Sequence, residues 1–506
     1  MTITYLKKIL TSRVYELAKV TPLELAPVLS RRYGCNIRFK REDLQPVFSF
    51  KLRGAYNKIA SLTTQQREKG VITASAGNHA QGVAMSATRM GIRSVIVMPI
   101  TTPEIKVNLV QSQGGEVVLF GENFSAACNH AYEIAEQEEL VFVHPYDDPH
   151  VIAGNGTVGM EILQQHTGPL QAIFVPVGGG GLLAGISAYV KELRPEVQVI
   201  GVEAEDSACL YEALNAGERV TLPRVGIFAD GTAVAQIGKE TFRIAQACVD
   251  DVVTVTTDQI CAAIKDIFEE TRSIVEPSGA LALAGLKKYL AQHPSQNSEF
   301  VTVLSGANIN FKSLRHISER TELGADKEAF LAVKIPIVDD WFRGFCDAVQ
   351  GYPITGINYR SSSLPHADLF VAVGLTPLHG SARLIEKLQK CDYSILDLSD
   401  NELAKVFLSN MVGGHLLKGE EERIFRFVFP ERPGALLDFT NAVSHRFNLT
   451  LLHYRNMGAA YGRVLVGIRV PDGAYAELAD FLASTGYDYV DETSNPACRL
   501  FLGLES

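Results

Sequence analysis

Between about residue 20 and residue 310 the sequence alternates short runs of Val, Ile and Leu with longer helical patterns, and this alternation constrains the fold most. The runs include Ser94–Pro99 (SVIVMP), Glu116–Phe120 (EVVLF), Ala172–Val177 (AIFVPV), Val197–Val202 (VQVIGV) and Val301–Leu304 (VTVL). Near-continuous branched apolar content belongs to strands buried on both faces, and helices between such strands make the sheet mostly parallel. Leu52, Ala55, Tyr56, Ile59 and Ala60 follow the i, i+3, i+4, i+7, i+8 rule and mark one of those helices. The class is therefore α/β, and in such folds ligands sit where the carboxyl ends of strands feed helix N-termini.

A chain of 506 residues holds two to four domains at about 150 residues each. Hydrophobic residues at 46% and charged residues at 21% exclude a largely disordered chain. Forty-seven basic against 57 acidic side chains leave a net charge of −10, which argues against nucleic acid or an anionic membrane as the main partner. No run approaches the roughly 18 apolar residues of a membrane span, and the mixed-charge N-terminus lacks a signal peptide's apolar core, so a cytoplasmic location is expected. The eight cysteines contain no CxxC pair, and scattered reduced thiols are expected in place of a zinc site or disulfide framework.

Near residue 318 the pattern changes. Ser318–Glu328 (SERTELGADKE) reads as a charged linker or helix end, and a weak internal repeat with an offset of 94 to 95 residues follows. Val333–Pro336 aligns with Phe427–Pro430, Ile357–Arg360 with Leu452–Arg455, Leu369–Leu375 with Val464–Val470, and Tyr393–Asp397 with Tyr487–Asp491. Four matches in order at nearly constant offset predict two copies of a strand–helix–strand–strand–helix–strand unit, an α+β, ferredoxin-like arrangement. The expected organisation is a unit over 1–320, a linker over 321–330, and repeats over 331–410 and 423–506.

Four loops carry the candidate chemistry. Gly178, Gly179, Gly180 and Gly181 follow the strand AIFVPV and open a helix, exposing backbone N–H groups to one small anion such as phosphate. The same region satisfies a dinucleotide fingerprint, Gly179-x-Gly181-x-x-Ala184, with Glu203 about 20 residues on as a ribose-binding acid, so on its own it could bind NAD. Ser75-Ala-Gly77-Asn78-His79 opens a second helix, where Ser75 and Asn78 either bind a carboxylate or ring hydroxyl or merely cap the helix. Lys51, beside Phe50 at a helix start, has its neutral amine favoured by burial and by the helix dipole, as Schiff-base chemistry requires. Ser305-Gly306-Ala307-Asn308 is a strand-to-loop turn whose hydroxyl either meets a cofactor ring or caps the turn.

Together SFKLRGAYN (Ser49–Asn57), SAGNHAQG (Ser75–Gly82), the tetraglycine loop and LSGANINF (Leu304–Phe311) resemble the signature set of the tryptophan-synthase-β-type, fold type II pyridoxal-phosphate enzymes, in that family's chain order. Within it the likeness is closest to the biosynthetic threonine deaminases (threonine ammonia-lyases), and it spans essentially the whole chain because those enzymes also carry paired ACT-like regulatory repeats. The resemblance implies a two-lobed catalytic unit with mostly parallel sheets and flanking helices, and pyridoxal 5'-phosphate as cofactor. It sets the NAD reading aside. Lys51 would hold the cofactor as a Schiff base and act as acid and base at the substrate Cα. Phe50 would pack against the pyridine ring and Asn78 would bond its 3'-hydroxyl. Gly178, Gly179, Gly180, Gly181 and Leu182 would hold the phosphate, and Ser305 would face the ring nitrogen. A serine there does not enforce a protonated ring, which favours loss of the β-hydroxyl over transamination. Ser75, Gly77, Asn78 and His79 would line the substrate pocket.

The implied reaction turns L-threonine into 2-oxobutanoate and ammonia, the first committed step of isoleucine biosynthesis, without a metal ion. The loop after Glu203 lacks the second acidic ligand of related cation-binding serine racemases. In this family isoleucine inhibits through the repeats and valine opposes it, and a homotetramer is the family expectation. Asn358, Tyr359, Tyr454 and Arg455 are the effector candidates, the alternative being that the tyrosines are core residues of two ordinary strands. Two departures stand out. Asn155 replaces a usual glutamine in AGNGT, and Asp339-Asp340, followed by Trp341, replaces in the first repeat the turn that is Pro433-Gly434 in the second. The second departure weakens the expectation of isoleucine inhibition. A serine dehydratase, racemase or synthase of the same fold, and an amino-acid sensor without activity, are the alternative readings.

Overall fold

The computed structural model describes residues 2–311, 313–324, 328–336, 345, 348–350, 352, 354–360, 366–375, 380–406, 421–430, 447–455, 461–471 and 473–502. The chain divides into two compact units, Met1–Phe311 and Lys312–Ser506.

The first unit holds two sheets. The larger runs, edge to edge, through Leu23–Leu25, Asn36–Arg41, Glu299–Leu304, Ala172–Pro176, Gln198–Ala204 and Asp251–Val255. All neighbours are parallel except the first pair, where Leu23 lies opposite Lys40. The smaller sheet runs through Glu116–Leu119, Ser94–Met98, Val71–Ala74 and Val141–Phe142, all parallel. The sequence runs SVIVM, AIFVP and VTVL are buried at every position, as strands covered on both faces require. In the larger lobe Ile173, Val175, Val301 and Val303 pack with Leu182, Leu183 and Ile186 of the helix Gly181–Leu193. In the smaller lobe Ile96 and Met98 face Val83, Ala84 and Ala87, while Val95 and Val97 face Ala127 and Ala131. Three strands, ending at Ala74, Pro176 and Leu304, lead directly into the small-residue loops singled out above.

The helix Lys51–Ala60 buries the predicted face of Leu52, Ala55, Tyr56, Ile59 and Ala60. It also buries Arg53, which is fully excluded from solvent and paired on both sides. Its guanidinium meets Glu42 at 2.7 Å and Glu161 at 2.5 Å, and Lys40 meets the other oxygen of Glu161 at 2.5 Å. Thr21, Thr157, Gln165 and Tyr15 supply further hydrogen bonds. Burial alone would raise the Glu42 carboxyl, but Arg53, with Lys40 and Thr21, holds it below its ordinary value. Two cations and two carboxylates thus neutralise one another away from solvent.

The second unit contains two four-stranded antiparallel sheets of identical order. The first runs Ile354–Arg360, His366–Gly374, Glu328–Pro336, Ser394–Asp397, and the second Asn448–Arg455, Tyr461–Val470, Glu421–Pro430, Asp488–Asp491. Numbered along each copy this is the order 2-3-1-4 of a ferredoxin-like unit. The likeness extends to irregularities: the register slips between Ile354 and Gly356 in one copy and between Leu449 and Leu451 in the other. In the first sheet Leu331, Val333, Leu369 and Val371 face the helix side with Leu384 and Leu388, while Phe330, Ala332, Phe370 and Ala372 face the opposite way. That second face merges with Ile424, Leu465, Ala497 and Cys498 of the other copy into one core. Asn401 donates to Asn495, its counterpart in the repeat, at 3.0 Å. The stretch expected as a linker over 321–330 is regular structure at both ends, a helix through Gly324 and a strand from Glu328, and Thr321, Ala329 and Phe330 within it are buried.

Replacing Arg53 with Met should leave two buried carboxylates short of a partner and destabilise the fold by about 3–5 kcal/mol. Replacing Arg93, whose ion pairs with Glu116 and Glu138 are exposed, should cost less than about 1 kcal/mol. The urea midpoint followed by far-UV circular dichroism separates the two. Equal shifts would refute the ranking.

Candidate active site

Lys51 is the first residue of its helix, and three contacts fix the chain around it. Its backbone N–H donates to Ser49 Oγ at 3.2 Å, and Phe50 N–H donates to the carbonyl of Ser305 at 3.1 Å. Ser49 forms an isolated antiparallel bridge with Gly306. The Lys51 ammonium group lies 5.3 Å from the centre of the Phe50 ring and donates to Pro145 O at 3.2 Å. Burial pushes the amine down to about 8, opposed by the negative charge of Glu276. A neutral amine is therefore accessible near physiological pH, and that is the nucleophilic form.

The glycine loop follows the larger lobe's strand Ala172–Pro176 and passes into the helix Gly181–Leu193. Gly180 has φ +85°, which disfavours any residue with a Cβ, and a Cβ on Gly179 would overlap the Tyr146 ring. The loop is thus held against the smaller lobe's Tyr146, and Thr241 Oγ1 donates to Gly179 O at 2.8 Å. The first N–H groups of a helix have no acceptor within it, so those at the start of Gly181–Leu193 are available to a phosphate. This cradle leaves no room for side chains and fits a small anion.

Asn78 opens the helix Asn78–Arg89, but its side chain does not cap it: the N-cap is Gly77, with no side-chain bond. The amide instead donates to Glu276 Oε1 at 2.6 Å and accepts from Asn308 Nδ2 at 2.7 Å. Ser75 Oγ accepts from Gly77 N–H at 3.2 Å and shapes the loop. His79 is buried with Nε2 at 2.9 Å from Val143 O, and burial, then the charge of Lys51, pushes it down to about 3. Burial thus favours the neutral imidazole, which supports the loop through its bond to the Val143 carbonyl. Ser305 is buried and its hydroxyl donates to Ser278 O at 3.3 Å. Phe50, Lys51, Asn78, Ser305 and the loops of Ser75 and Gly178 thus converge through shared partners.

Sequence reasoning passed over Glu276, Tyr146 and the Lys106–Asp230 ion pair at 2.9 Å, which links the two lobes. Burial first, then Asp230, pushes the Glu276 carboxyl up to about 7, with Asn78, Lys106 and Lys51 opposing. Its only local signal was an acid before Pro277 at a helix start, which reads as an ordinary N-terminal acid. Glu203, the acid that the dinucleotide reading required, is fully buried and accepts from the N–H groups of Leu210 and Tyr211 at 2.9 and 2.8 Å. Both oxygens are spent on the helix Cys209–Ala216, and none remains for a ribose. Among the described residues no group of His, Cys, Asp and Glu forms a metal site. Tyr359 and Asn358, and Tyr454 and Arg455, occupy matching edge strands of the two repeats, at register partners Leu369, Phe370, Val464 and Arg463. Their side chains, and Asp339, Asp340, Trp341, Pro433 and Gly434, lie outside the described residues.

A buried lysine and a glycine cradle at the carboxyl ends of parallel strands define a class, and comparison with known proteins names it. Residues 14–306 match the family of pyridoxal-phosphate-dependent enzymes, and residues 319–408 and 413–502 each match the C-terminal regulatory domain of threonine dehydratase. The chain is 52% identical over 501 residues to L-threonine dehydratase biosynthetic IlvA of Burkholderia multivorans, covering 98% of this chain and 99% of that one. It is 50% identical over 499 residues to the Escherichia coli protein of the same name, covering 98% and 97%. Among solved structures, processed threonine deaminase isoform 2 from Solanum lycopersicum superposes with a TM-score of 0.63 at 48% identity, over 64% of this chain and 88% of that one. Serine racemase from Dictyostelium discoideum gives 0.57 at 33% identity, over 60% and 99%. The chain belongs to the threonine dehydratase family of pyridoxal-phosphate-dependent enzymes, regulatory repeats included.

Two outcomes follow from this geometry. Gly179→Ala should abolish cofactor retention, because the Tyr146 ring fills the space of the new methyl group; retention at wild-type level in a spectrum of the purified protein would contradict the packing. The rate at which apoenzyme takes up pyridoxal phosphate should rise with pH to about 8 and then level off, since the neutral form of Lys51 is the nucleophile. A rate that keeps climbing to pH 10 would mean an unshifted lysine.

Proposed function

We propose that this chain deaminates L-threonine to 2-oxobutanoate and ammonia as the first committed step of isoleucine biosynthesis, under control by its C-terminal repeats. The observation that carries the reading is the match at about half identity over nearly the full length of biosynthetic threonine dehydratases, doubled tail included. The residues fit a pyridoxal-phosphate site: Gly178, Gly179, Gly180, Gly181 and Leu182 for the phosphate, Asn78 for the phenolic oxygen, Ser305 for the ring nitrogen and Phe50 beside the ring. Bound pyridoxal phosphate supplies a sink for the electron pair left at the substrate Cα. Lys51 takes the Cα proton, its burial keeping the amine a competent base at neutral pH. The N–H groups at the start of the helix Asn78–Arg89 hold the substrate carboxylate, beside the loop that the bond from Gly77 N–H to Ser75 Oγ shapes. His79 serves this pocket by fixing that helix to Val143. The β-hydroxyl leaves as water, and one water re-enters as the resulting enamine hydrolyses, so atoms balance.

The repeats bind isoleucine as inhibitor, with valine opposing it, near Asn358, Tyr359, Tyr454 and Arg455. The likeness to a serine racemase favours a second reading, in which serine is the preferred substrate. That likeness covers 60% of this chain, whereas the threonine dehydratases span its length. No helix among the described residues is long and apolar enough to cross a membrane. We place the enzyme in the cytoplasm as a homotetramer, on the family expectation.

The purified protein should show a Schiff-base absorbance band that Lys51→Ala removes, and kcat/KM should be higher for threonine than for serine. A preference for serine would select the second reading, and the absence of any 2-oxobutanoate would overturn both. Isoleucine should lower turnover and change the fluorescence of Trp341, the single tryptophan. Unchanged kinetics at millimolar isoleucine would remove the regulatory part alone.

A further inference from the structure

Glu276 is a buried acid at the centre of the site to which neither the reaction nor the comparisons give a task. It precedes the helix Pro277–Gln292, and its backbone N–H donates to Gly306 O at 3.1 Å. Its carboxylate lies where a Cβ on Gly306 would stand, so the glycine after Ser305 is what lets it approach. There Oε1 accepts from Asn78 Nδ2 at 2.6 Å.

The other end of the Asn78 amide is also held. Asn308 Nδ2 donates to Val47 O at 2.8 Å and to Asn78 Oδ1 at 2.7 Å. A primary amide nitrogen has two hydrogens, and both of those on Asn308 are used. The Val47 carbonyl can only accept, so the Asn308 nitrogen must face it and the Asn78 oxygen must face Asn308. The Asn78 nitrogen is then directed at Glu276, where one of its hydrogens is used and the second remains.

Resting on the cofactor reading above, we propose that Glu276 is a positioning residue: with Asn308 it locks the Asn78 amide so that its remaining N–H meets the phenolic oxygen of pyridoxal phosphate. Glu276 acts through Asn78. The charged and titratable groups around it are Asp230, Lys106 and Lys51, so three separate elements set its charge while Asn78 transmits its effect.

The test is a double-mutant cycle in the full-length protein, with pyridoxal phosphate as the probe. Apoenzymes of wild type, Asn78→Ala, Glu276→Ala and the double variant are titrated for cofactor affinity, and the balance of Schiff-base absorbance bands is recorded in each holoenzyme. Each single variant should weaken binding about tenfold, as loss of one hydrogen bond to a charged or polar group does. The double variant should be no weaker than Asn78→Ala, and both singles should shift the bands in the same direction. Glu276→Gln, whose amide oxygen accepts the same bond, should recover most of the loss, whereas the shorter Glu276→Asp should not. If Glu276→Ala does not fold, judged by circular dichroism of the apoenzyme, the Gln and Asp variants decide. Losses that multiply in the double variant, wild-type affinity in Glu276→Ala, or a Gln variant no better than Asp would each overturn the inference. A wild-type protein without any Schiff-base band would instead overturn the cofactor reading on which it rests.

Discussion

The catalytic unit depends on a neutral, solvent-free group of charges centred on Arg53. Two residues earlier in the same helix stands Lys51, so whatever fixes Arg53 fixes the backbone that presents the lysine. Glu42 follows the strand Asn36–Arg41, Glu161 belongs to the helix Pro149–Gln165, and Lys40 lies within the strand. Glu42 from the turn after the strand and Glu161 from the helix therefore converge on one guanidinium, and the strand is tied in through the Lys40–Glu161 pair. A hydrophobic cluster of the same size could hold the elements together, but it would tolerate sliding. Directional bonds to a planar fork define where the helix stands along its axis, and with it the place at which Lys51 is presented.

Around that anchor the site is built from loops that share one origin, the carboxyl end of a parallel strand. Backbone N–H groups and small residues provide the anion cradle, while side chains provide only a few contacts. The electrostatics divide the groups into two kinds. Burial makes the Lys51 amine more easily neutral and the Glu276 carboxyl more easily protonated, so both titrate near neutrality. His79, expected from the sequence to line the substrate pocket, is driven far below that range and bonded to a backbone carbonyl.

Much of this was legible in the sequence, and the reasons are physical. Strands buried on both faces read as unbroken Val and Ile runs, and glycines at a strand end read as a close approach. The matching offsets of VKIP and FVFP read as a duplicated sheet. The residues that escaped notice act across long separations. Asn78 and Glu276 are 198 positions apart, and nothing local distinguishes Glu276 from an acid that merely begins a helix. Glu203 shows the converse: spacing from a glycine fingerprint alone would make it a ribose ligand, the other motifs set that reading aside, and its oxygens belong to the next helix. Spacing along the chain identifies loops well and identifies the direction of a side chain poorly.

The merged core of the two repeats bears on how such a tail can work. Phe330, Ala332, Phe370 and Ala372 on one sheet and Ile424 and Leu465 on the other leave no independent surface between the copies. A repeat excised alone would expose the apolar face that it now buries against its twin. The pair is thus a single mechanical body, in which a shift of one sheet must be accommodated by its twin. An effector seated on either edge strand would in effect be addressing both copies at once.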